Sequence, residues 1–312
     1  MLVTPLPGVS RDNLLSSLRS IHTDVTNLRG GGGPQGAHKR LLAYLEWTSN
    51  AVRMLGNQIS SADLERLVLT RRYELLLSGV GTMAGTEMEV QRVVNGLVSL
   101  ELDQRVDAFD HAIKALAGQI GRWSRYSYFV VPDTSFYIEH PQKLEAADFG
   151  SLINVWQAPI HVLVPIVVVD ELDGLKQSKD KHVRWRAGYT LAVLDRVFAS
   201  TAAPAWLRKG DVSTTGSIPP DVLKALPPEV AAQLAAGGIQ RSDVTIELVF
   251  DPPGHVRLPI NDDEIIGRAL AVRPLADRTV TLLTYDTGQS TRARNAGLEA
   301  VKLSKEIGEE PG

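Results

Sequence analysis

The hydrophobic pattern of this 312-residue chain changes character near Ser127. Before this residue, apolar side chains recur at helical spacing, and no segment has the features of a strand. After it, short β-branched runs alternate with helical patterns, which favours βαβ units and a parallel sheet. The sequence therefore predicts an all-α domain over residues 1–125, an α/β domain over residues 126–305 and a flexible tail over residues 306–312.

Capping residues and glycines divide the first 125 residues into predicted helices. Ser60 and Asp63 have the spacing of a capping box, and so do Thr86 and Glu89. The run Gly30–Gly33 ends the first helix, and a linker is its favoured interpretation because no Gly-Lys-Ser/Thr follows it. The helices are expected over residues 10–28, 38–55, 60–79 and 86–123, with Gly96 as a point of interruption. Such a domain would dimerise or contact the substrate.

Strands and helices alternate in the second half. Pro165 suits the first turn of the helix that follows the second strand, because proline has no N–H to leave unpaired there. A Pro-, Ala- and Gly-rich insertion is expected over about 200–257, with one short helix near 222–234. The predicted strands are 128–132, 161–164, 279–285 and 298–303, with 244–250 as an additional strand at an edge. Helices are predicted from 165, over 183–198 and over 261–272.

Four acidic residues occur at the ends of these hydrophobic elements: Asp133, Glu171, Asp262 and Asp286. In open α/β sheets, ligands bind beyond the carboxyl ends of the strands. Carboxylates gathered there repel one another unless a cation lies among them. Hard cations such as Mg²⁺ take oxygen ligands, and a bound metal can activate water for phosphoryl chemistry. The pattern therefore indicates a metal-dependent phosphodiesterase site.

Each acid also has a simpler interpretation. Asp133 can be a helix N-cap, Asp262 can be a first-turn acid stabilised by the helix dipole, and Asp286 can form a turn. Glu171 can belong to a solvated helix face. Asp170 is the alternative to Glu171, and Asp263 is the alternative to Asp262. These alternatives stay open on sequence alone.

Ser135 argues against one class of phosphatase. A haloacid-dehalogenase-type enzyme would need a second aspartate two positions after its nucleophile, and Ser135 occupies that position after Asp133. An aspartyl-phosphate intermediate on Asp133 is therefore not expected. Two arginines that follow Asp286, Arg292 and Arg294, are the favoured contacts for substrate phosphates.

Four short motifs in this order resemble the PIN domain, a family of metal-dependent ribonucleases. They lie at residues 131–135, 164–173, 261–265 and 283–286, and the resemblance covers about 127–303. It implies a three-layer α/β/α fold with a central parallel sheet. Asp133, Glu171, Asp262 and Asp286 fall on the family's acidic positions, and Thr284 falls on a position that often carries a hydroxyl. Ser135, Asp170 and Asp263 are supporting or alternative residues.

The resemblance implies an endoribonuclease that hydrolyses single-stranded RNA with Mg²⁺ or Mn²⁺ held by the four acids. The alternatives are a DNA-directed or structure-specific nuclease and a non-catalytic interaction protein on a PIN scaffold. A homodimer is a further expectation. A toxin with an antitoxin-like partner is less favoured, because the helical domain and the insertion exceed what a minimal toxin needs.

Composition limits the remaining classes. The chain has no cysteine, which excludes disulfides, thiolate metal sites and cysteine nucleophiles and fits a cytoplasmic protein. No run approaches the ~20 apolar residues of a membrane helix, so no membrane partner is expected. The formal net charge of −3 provides no global field that would attract nucleic acid. Any contact with RNA must therefore be local.

Overall fold

The structure is a computed structural model, and it describes residues 3–6, 8–31, 36–81, 87–155, 158–199, 204–210, 212–213, 239–252 and 254–304. The chain forms two compact units. One comprises Met1–Arg125 and Pro274–Asp277, and the other comprises Tyr126–Arg273 and Arg278–Gly312. The predicted helix at 222–234, the cap at Thr86, part of the glycine run and the tail at 306–312 lie outside the described residues.

The described part of residues 1–125 is helical and contains no strand. Its five helices are α1 (Arg11–Gly30), α2 (Ala37–Leu55), α3 (Ser61–Leu67), α4 (Arg71–Gly79) and α5 (Met88–Trp123). The side chain of Ser10 accepts a hydrogen bond from the N–H of Asn13 and starts α1 as predicted. None of the helices in the described ranges is both long and apolar enough to cross a bilayer.

The single helix predicted over 60–79 is wrong, because the structure has two helices there. Ser60 caps α3 through the N–H of Asp63. Thr70 then caps α4 by accepting a hydrogen bond from the N–H of Tyr73. A threonine hydroxyl can satisfy a free N–H at a helix start, so Thr70 allows the chain to turn and begin again.

Helix α5 runs through Gly96 without a break, contrary to the predicted interruption. The glycine costs about 1 kcal/mol relative to alanine, and the burial of Val94 and Val98 on either side of it offsets that cost. On the neighbouring face of this part of α5, Val93 and Leu97 are exposed. Dimerisation through these helices stays a prediction.

A buried charge network organises the helical unit around Glu101, which is only 1 % exposed. Its Oε1 accepts hydrogen bonds from Thr70 Oγ1 at 2.8 Å and pairs with Arg105 Nε at 3.0 Å. Its Oε2 pairs with Arg72 Nη1 at 2.7 Å. Arg105 also donates to the carbonyls of Arg66 and Leu67 at the end of α3. The network therefore joins α3, α4 and α5 through one carboxylate.

The α/β unit is built on a six-stranded sheet of order β3-β6-β2-β1-β7-β8. All of its pairings are parallel except β3 with β6. Its strands are β1 (Tyr128–Pro132), β2 (Ile160–Pro165), β3 (Ala205–Arg208), β6 (Val244–Val249), β7 (Val280–Thr284) and β8 (Glu299–Lys302). Two further short strands, β4 (Val212–Ser213) and β5 (Ile239–Gln240), pair with each other. The predicted α/β class with a mostly parallel sheet is confirmed.

After Tyr126, the described part of the chain contains six helices: α6 (Thr134–Glu139), α7 (Phe149–Leu152), α8 (Ile166–Leu175), α9 (Lys181–Phe198), α10 (Asn261–Ala276) and α11 (Thr287–Asn295). The central strands β1, β2 and β7 are almost completely buried. The sequences of such strands are largely apolar, because helices cover both faces of a parallel sheet. Residues that leave their carboxyl ends therefore meet at one edge.

Two predictions about strand β6 and Pro165 are wrong. Strand β6 lies inside the sheet, between β2 and β3, although an edge position was expected for residues 244–250. The edge is formed by β3, which the sequence did not predict. Part of the stretch treated as an insertion over 200–257 thus belongs to the central sheet. Pro165 is the last residue of β2 and the N-cap of α8, one position before the predicted first turn.

Candidate functional site

Four chain segments leave the carboxyl edge of the sheet and bring acidic residues to one cavity of about 430 Å³. Asp133 directly follows β1, and Asp286 follows β7 after one intervening residue. Glu171 lies in α8, which begins directly after β2, and Asp262 lies in the first turn of α10. All four predicted acids line this cavity, together with Thr134, Ser135, Gly174, Leu175, Ile265 and Gln289. Their catalytic role stays a prediction.

Asp133 is held by a cap and by two hydroxyl groups. Its Oδ1 accepts a hydrogen bond from the N–H of Phe136 at 2.8 Å, so it is the N-cap of α6. The Ser135 hydroxyl lies within 2.8 Å of both carboxylate oxygens. The Thr284 hydroxyl donates to Oδ2 at 2.6 Å. The capping interpretation is therefore correct as a description of the local structure, while the same carboxylate also faces the cavity.

Thr284 and Ser135 connect the ends of β1 and β7. Thr284 is fully buried and accepts a hydrogen bond from the N–H of Asp286 at 2.8 Å. Ser135 accepts one from the N–H of Tyr285 at 2.8 Å. Thr284 was selected from the sequence for its hydroxyl group, and in the structure this hydroxyl donates to Asp133. Both hydroxyls therefore fix the position of Asp133.

Glu171 is positioned by partners from two other elements. The Thr134 hydroxyl donates to Oε2, and the Asn261 side-chain amide donates to Oε1 at 2.8 Å. Neither Thr134 nor Asn261 was among the site residues predicted from the sequence. The alternative at position 170 is not favoured by the geometry, because Asp170 is exposed and pairs with Arg257 at 2.6 Å. Helix α8 has three acids, Asp170, Glu171 and Asp173, and of these Glu171 alone lines the cavity.

Of the remaining predicted residues, Asp286, Arg292 and Asp263 lie at or beside the acidic group, whereas Arg294 lies elsewhere. Asp286 is the N-cap of α11, through the N–H of Gln289 at 2.8 Å. Arg292 Nη1 lies 3.4 Å from Asp262 Oδ2 and 3.7 Å from Asp263 Oδ1, at the rim of the acidic group. Arg294 instead donates to the carbonyl of Ala300 and lines a different cavity beside β8. Its predicted contact with substrate phosphate is therefore not supported by its position.

The negative charges of the four acids lie close together, and burial and mutual repulsion raise the pKa values of two of them. Burial raises the pKa of Asp133 to about 6, and the charge of Asp262 adds to the effect. Burial, together with the nearby charges of Asp286 and Glu171, raises the pKa of Asp262, while Arg292 opposes the shift. Such clustered carboxylates are favoured only when a cation compensates for them.

The sequence itself agrees with this architecture. The family model for the PIN domain matches residues 130–304, more than half of the chain. The chain belongs to the PIN domain family. No curated protein matches the chain. PIN domains are generally nucleases and typically bind divalent metals, so a nuclease-type fold and a hydrolase class are supported for this PIN domain.

The donor set of the cavity fits a divalent cation. Carboxylate oxygens from Asp133, Glu171, Asp262 and Asp286 are the ligand type that Mg²⁺ and Mn²⁺ prefer. Two of these carboxylates are oriented by hydrogen bonds from neighbouring side chains. The hydroxyl of Thr284 donates to Asp133, and the amide of Asn261 donates to Glu171. Such supporting contacts are characteristic of metal sites.

A second group of ligand-type side chains comprises Asp251 and His255 of the β6–α10 connection and Glu264 of the first turn of α10. It is a less suitable cation site, because arginine side chains already pair with both of its carboxylates, although Asp251 Oδ1 has no hydrogen-bond partner among the described residues. Glu264 Oε1 contacts His255 Nε2 at 2.8 Å and Arg268 Nε at 3.0 Å. Arg257 Nε binds Asp251 at 2.6 Å. We interpret this group as an ion network that fixes the connection before α10 and thereby the position of Asp262.

The raised pKa of Asp133 predicts a specific pH dependence of stability in the absence of metal. An unfolded aspartate titrates near 3.9, whereas the pKa of Asp133 in the folded protein is about 6. The folded state therefore binds this proton more tightly, and the corresponding stability is lost as the pH rises through about 6. The free energy of unfolding of Asp133→Asn, relative to that of wild type, should therefore rise by about 2 kcal/mol from pH 4.5 to pH 7.5, since each pKa unit is worth about 1.4 kcal/mol and part of the effect lies below pH 4.5.

Urea unfolding of the metal-free proteins at both pH values measures this difference. Asp173→Asn is a suitable control, because Asp173 is an exposed acid of α8 that does not line the cavity. Parallel pH profiles for wild type and Asp133→Asn would show that burial does not perturb this carboxyl.

Proposed function

We propose that this PIN domain is a metal-dependent endoribonuclease that hydrolyses phosphodiester bonds of single-stranded RNA. One observation supports the proposal most strongly: four carboxylates from four separate segments line a single cavity at the carboxyl edge of the sheet. An arrangement of this kind is costly for folding unless it serves to bind cations, because like charges repel one another. Family membership makes nuclease chemistry the natural use of such a site.

The residues divide the work of hydrolysis. Asp133, Glu171, Asp262 and Asp286 would hold one or two Mg²⁺ or Mn²⁺ ions. When bound, such ions lower the pKa of water and neutralise charge on the reacting phosphate. The hydroxyls of Thr284 and Ser135 hold Asp133, and Thr134 and Asn261 hold Glu171. Fixed carboxylates cost little reorganisation during the reaction, which is the main protein contribution to this type of catalysis.

Arg292 supplies a positive charge next to the acids. Its guanidinium lies between Asp262 and Asp263, and it is about half exposed. Because guanidinium groups bind phosphate with two parallel hydrogen bonds, Arg292 is well placed to hold a backbone phosphate next to the cavity. A single-stranded substrate fits this local arrangement, since no extended positive surface is needed to follow a duplex.

The proposal is tested by comparing labelled oligonucleotides of one sequence as single-stranded RNA, single-stranded DNA and duplex RNA. In Mg²⁺ or Mn²⁺, we expect internal cleavage of the single-stranded RNA and loss of cleavage with chelator. Preferential cutting of the DNA strand or of the duplex would establish the DNA-directed or structure-specific alternative. Absence of cleavage in every case, together with absence of metal binding by calorimetry, would favour the non-catalytic scaffold.

A further inference from the structure

The side chain of Gln289 is an unusual component of the acid cavity. It is only 1 % exposed, yet it lines the cavity together with the four acids. Its Oε1 lies 3.2 Å from the Thr284 hydroxyl, whereas its Nε2 has no hydrogen-bond partner among the described residues. An unpaired buried donor costs about 1–3 kcal/mol. Native proteins retain few such groups, and a bound molecule is a common reason for them.

The position of the amide is determined by the local fold. The backbone N–H of Gln289 donates to Asp286, so the residue sits in the first turn of α11, directly behind that acid. Thr284, the contact of Oε1, is fully buried at the end of β7. The side chain therefore has little freedom, and it belongs to the lining of the cavity that holds the four carboxylates.

The chemistry of the free end selects its ligand. An amide nitrogen only donates hydrogen bonds, so it cannot coordinate a cation. Its complement is an oxygen acceptor that enters the cavity from outside. In a cavity whose acids bind cations, the group that needs such a donor is an anionic oxygen of the substrate, and hydrogen bonds to charged oxygens are the stronger kind.

We infer that Gln289 is a substrate-positioning residue whose side-chain N–H donates to a phosphodiester oxygen of the nucleic acid. The inference rests on the proposed nuclease function and adds to it a residue that contacts the substrate and not the metal. It assigns the two kinds of group in the cavity separate tasks: the carboxylates hold the cation, and the amide holds the phosphate.

The test replaces Gln289 by methionine, which has a similar shape and no donor. A lost hydrogen bond to a charged group should lower kcat/KM for single-stranded RNA by about 10- to 100-fold. Stabilisation of the protein by Mn²⁺ should stay at the wild-type value, because the carboxylates are unchanged. The melting temperature without metal should be equal or higher, since an unpaired polar group is removed. A purely structural glutamine would instead lower it.

Two further variants make the result decisive. Gln289→Glu keeps an acceptor, removes both donors and adds charge, so its kcat/KM should fall below that of Gln289→Met. An activity of Gln289→Glu that equals or exceeds that of Gln289→Met would overturn the donor role, including the case in which the amide is turned to present Oε1. Gln177→Met, an exchange at an exposed glutamine just after α8 that does not line the cavity, is the matched control and should behave as wild type.

Failure of the inference and failure of the nuclease proposal can be told apart. If the wild-type protein cleaves nothing, the proposed function fails, and binding of the same labelled RNA strand in Mg²⁺ is measured by fluorescence anisotropy. Gln289→Met should then raise Kd by about tenfold. If wild type and Gln289→Met bind the RNA strand with equal affinity, the inference is wrong, whether or not the protein is a nuclease.

Discussion

Replacing Asp133 by asparagine is expected to abolish metal-dependent cleavage of RNA while the protein stays folded. Asparagine keeps the size of the side chain and can still accept the hydrogen bond from Phe136 that caps α6. It removes the buried charge that a divalent cation needs. A loss of several kcal/mol of transition-state stabilisation corresponds to a decrease of at least about 100-fold in kcat.

Metal binding gives this prediction a second measurement. Wild type should gain thermal stability from Mn²⁺ by mass action, and Asp133→Asn should gain much less. Asp173→Asn should keep both the activity and the response to Mn²⁺, because Asp173 pairs with Lys176 at the surface. If Asp133→Asn cleaves RNA at the wild-type rate, Asp133 is only a helix cap in this protein.

The largest effect on stability is expected at Glu101 in the helical unit. Glu101→Ala would leave the guanidinium of Arg105, which is 7 % exposed, without its charged partner. Removing one partner of a buried ion pair typically costs about 3–5 kcal/mol. Because Thr70 and Arg72 would lose the same acceptor, we expect the transition of this unit in urea to move to markedly lower concentration.

Two comparisons show whether charge is the cause. Asp110→Ala removes an exposed partner of Lys114 and should leave the transition unchanged. The double variant Glu101→Met with Arg105→Met should recover part of the lost stability, since apolar residues of similar volume can replace a buried pair. A Glu101→Ala protein with the wild-type midpoint would contradict the prediction.

Strands with apolar sequences could be predicted from sequence, and strand β6 shows why others could not. The run at 128–132 is apolar throughout, and the run at 279–285 combines apolar residues with β-branched threonines, so both have the composition of buried strands. In β6, Thr245 and Glu247 alternate with apolar residues and suggest an exposed face. In the structure Glu247 is buried against His161 of β2 at 3.1 Å. A partner 86 positions away in sequence cannot be inferred from local alternation.

The acids of the site were predictable for a related reason. Each lies at the end or start of a recognisable element, and the geometry of parallel sheets brings such positions together. The groups that orient them were not predictable, because the contacts of Thr134, Asn261 and Gln289 depend on side-chain directions across different elements. The same limit explains Arg294, which is close to Asp286 in sequence but donates to Ala300 at the other side of its helix.

Asp133 and Asp286 each have two roles, one structural and one at the cavity, and this affects how related sequences should be compared. Asp133 and Asp286 each start a helix as well as face the cavity. A chain that had lost nuclease activity would still be selected to keep Asp, Asn, Ser or Thr at both positions, because replacing a cap by alanine costs about 1 kcal/mol. Glu171, in the middle of α8, caps nothing. Among related chains, drift at the position of Glu171 should therefore be the earliest mark of a PIN domain that no longer cuts nucleic acid.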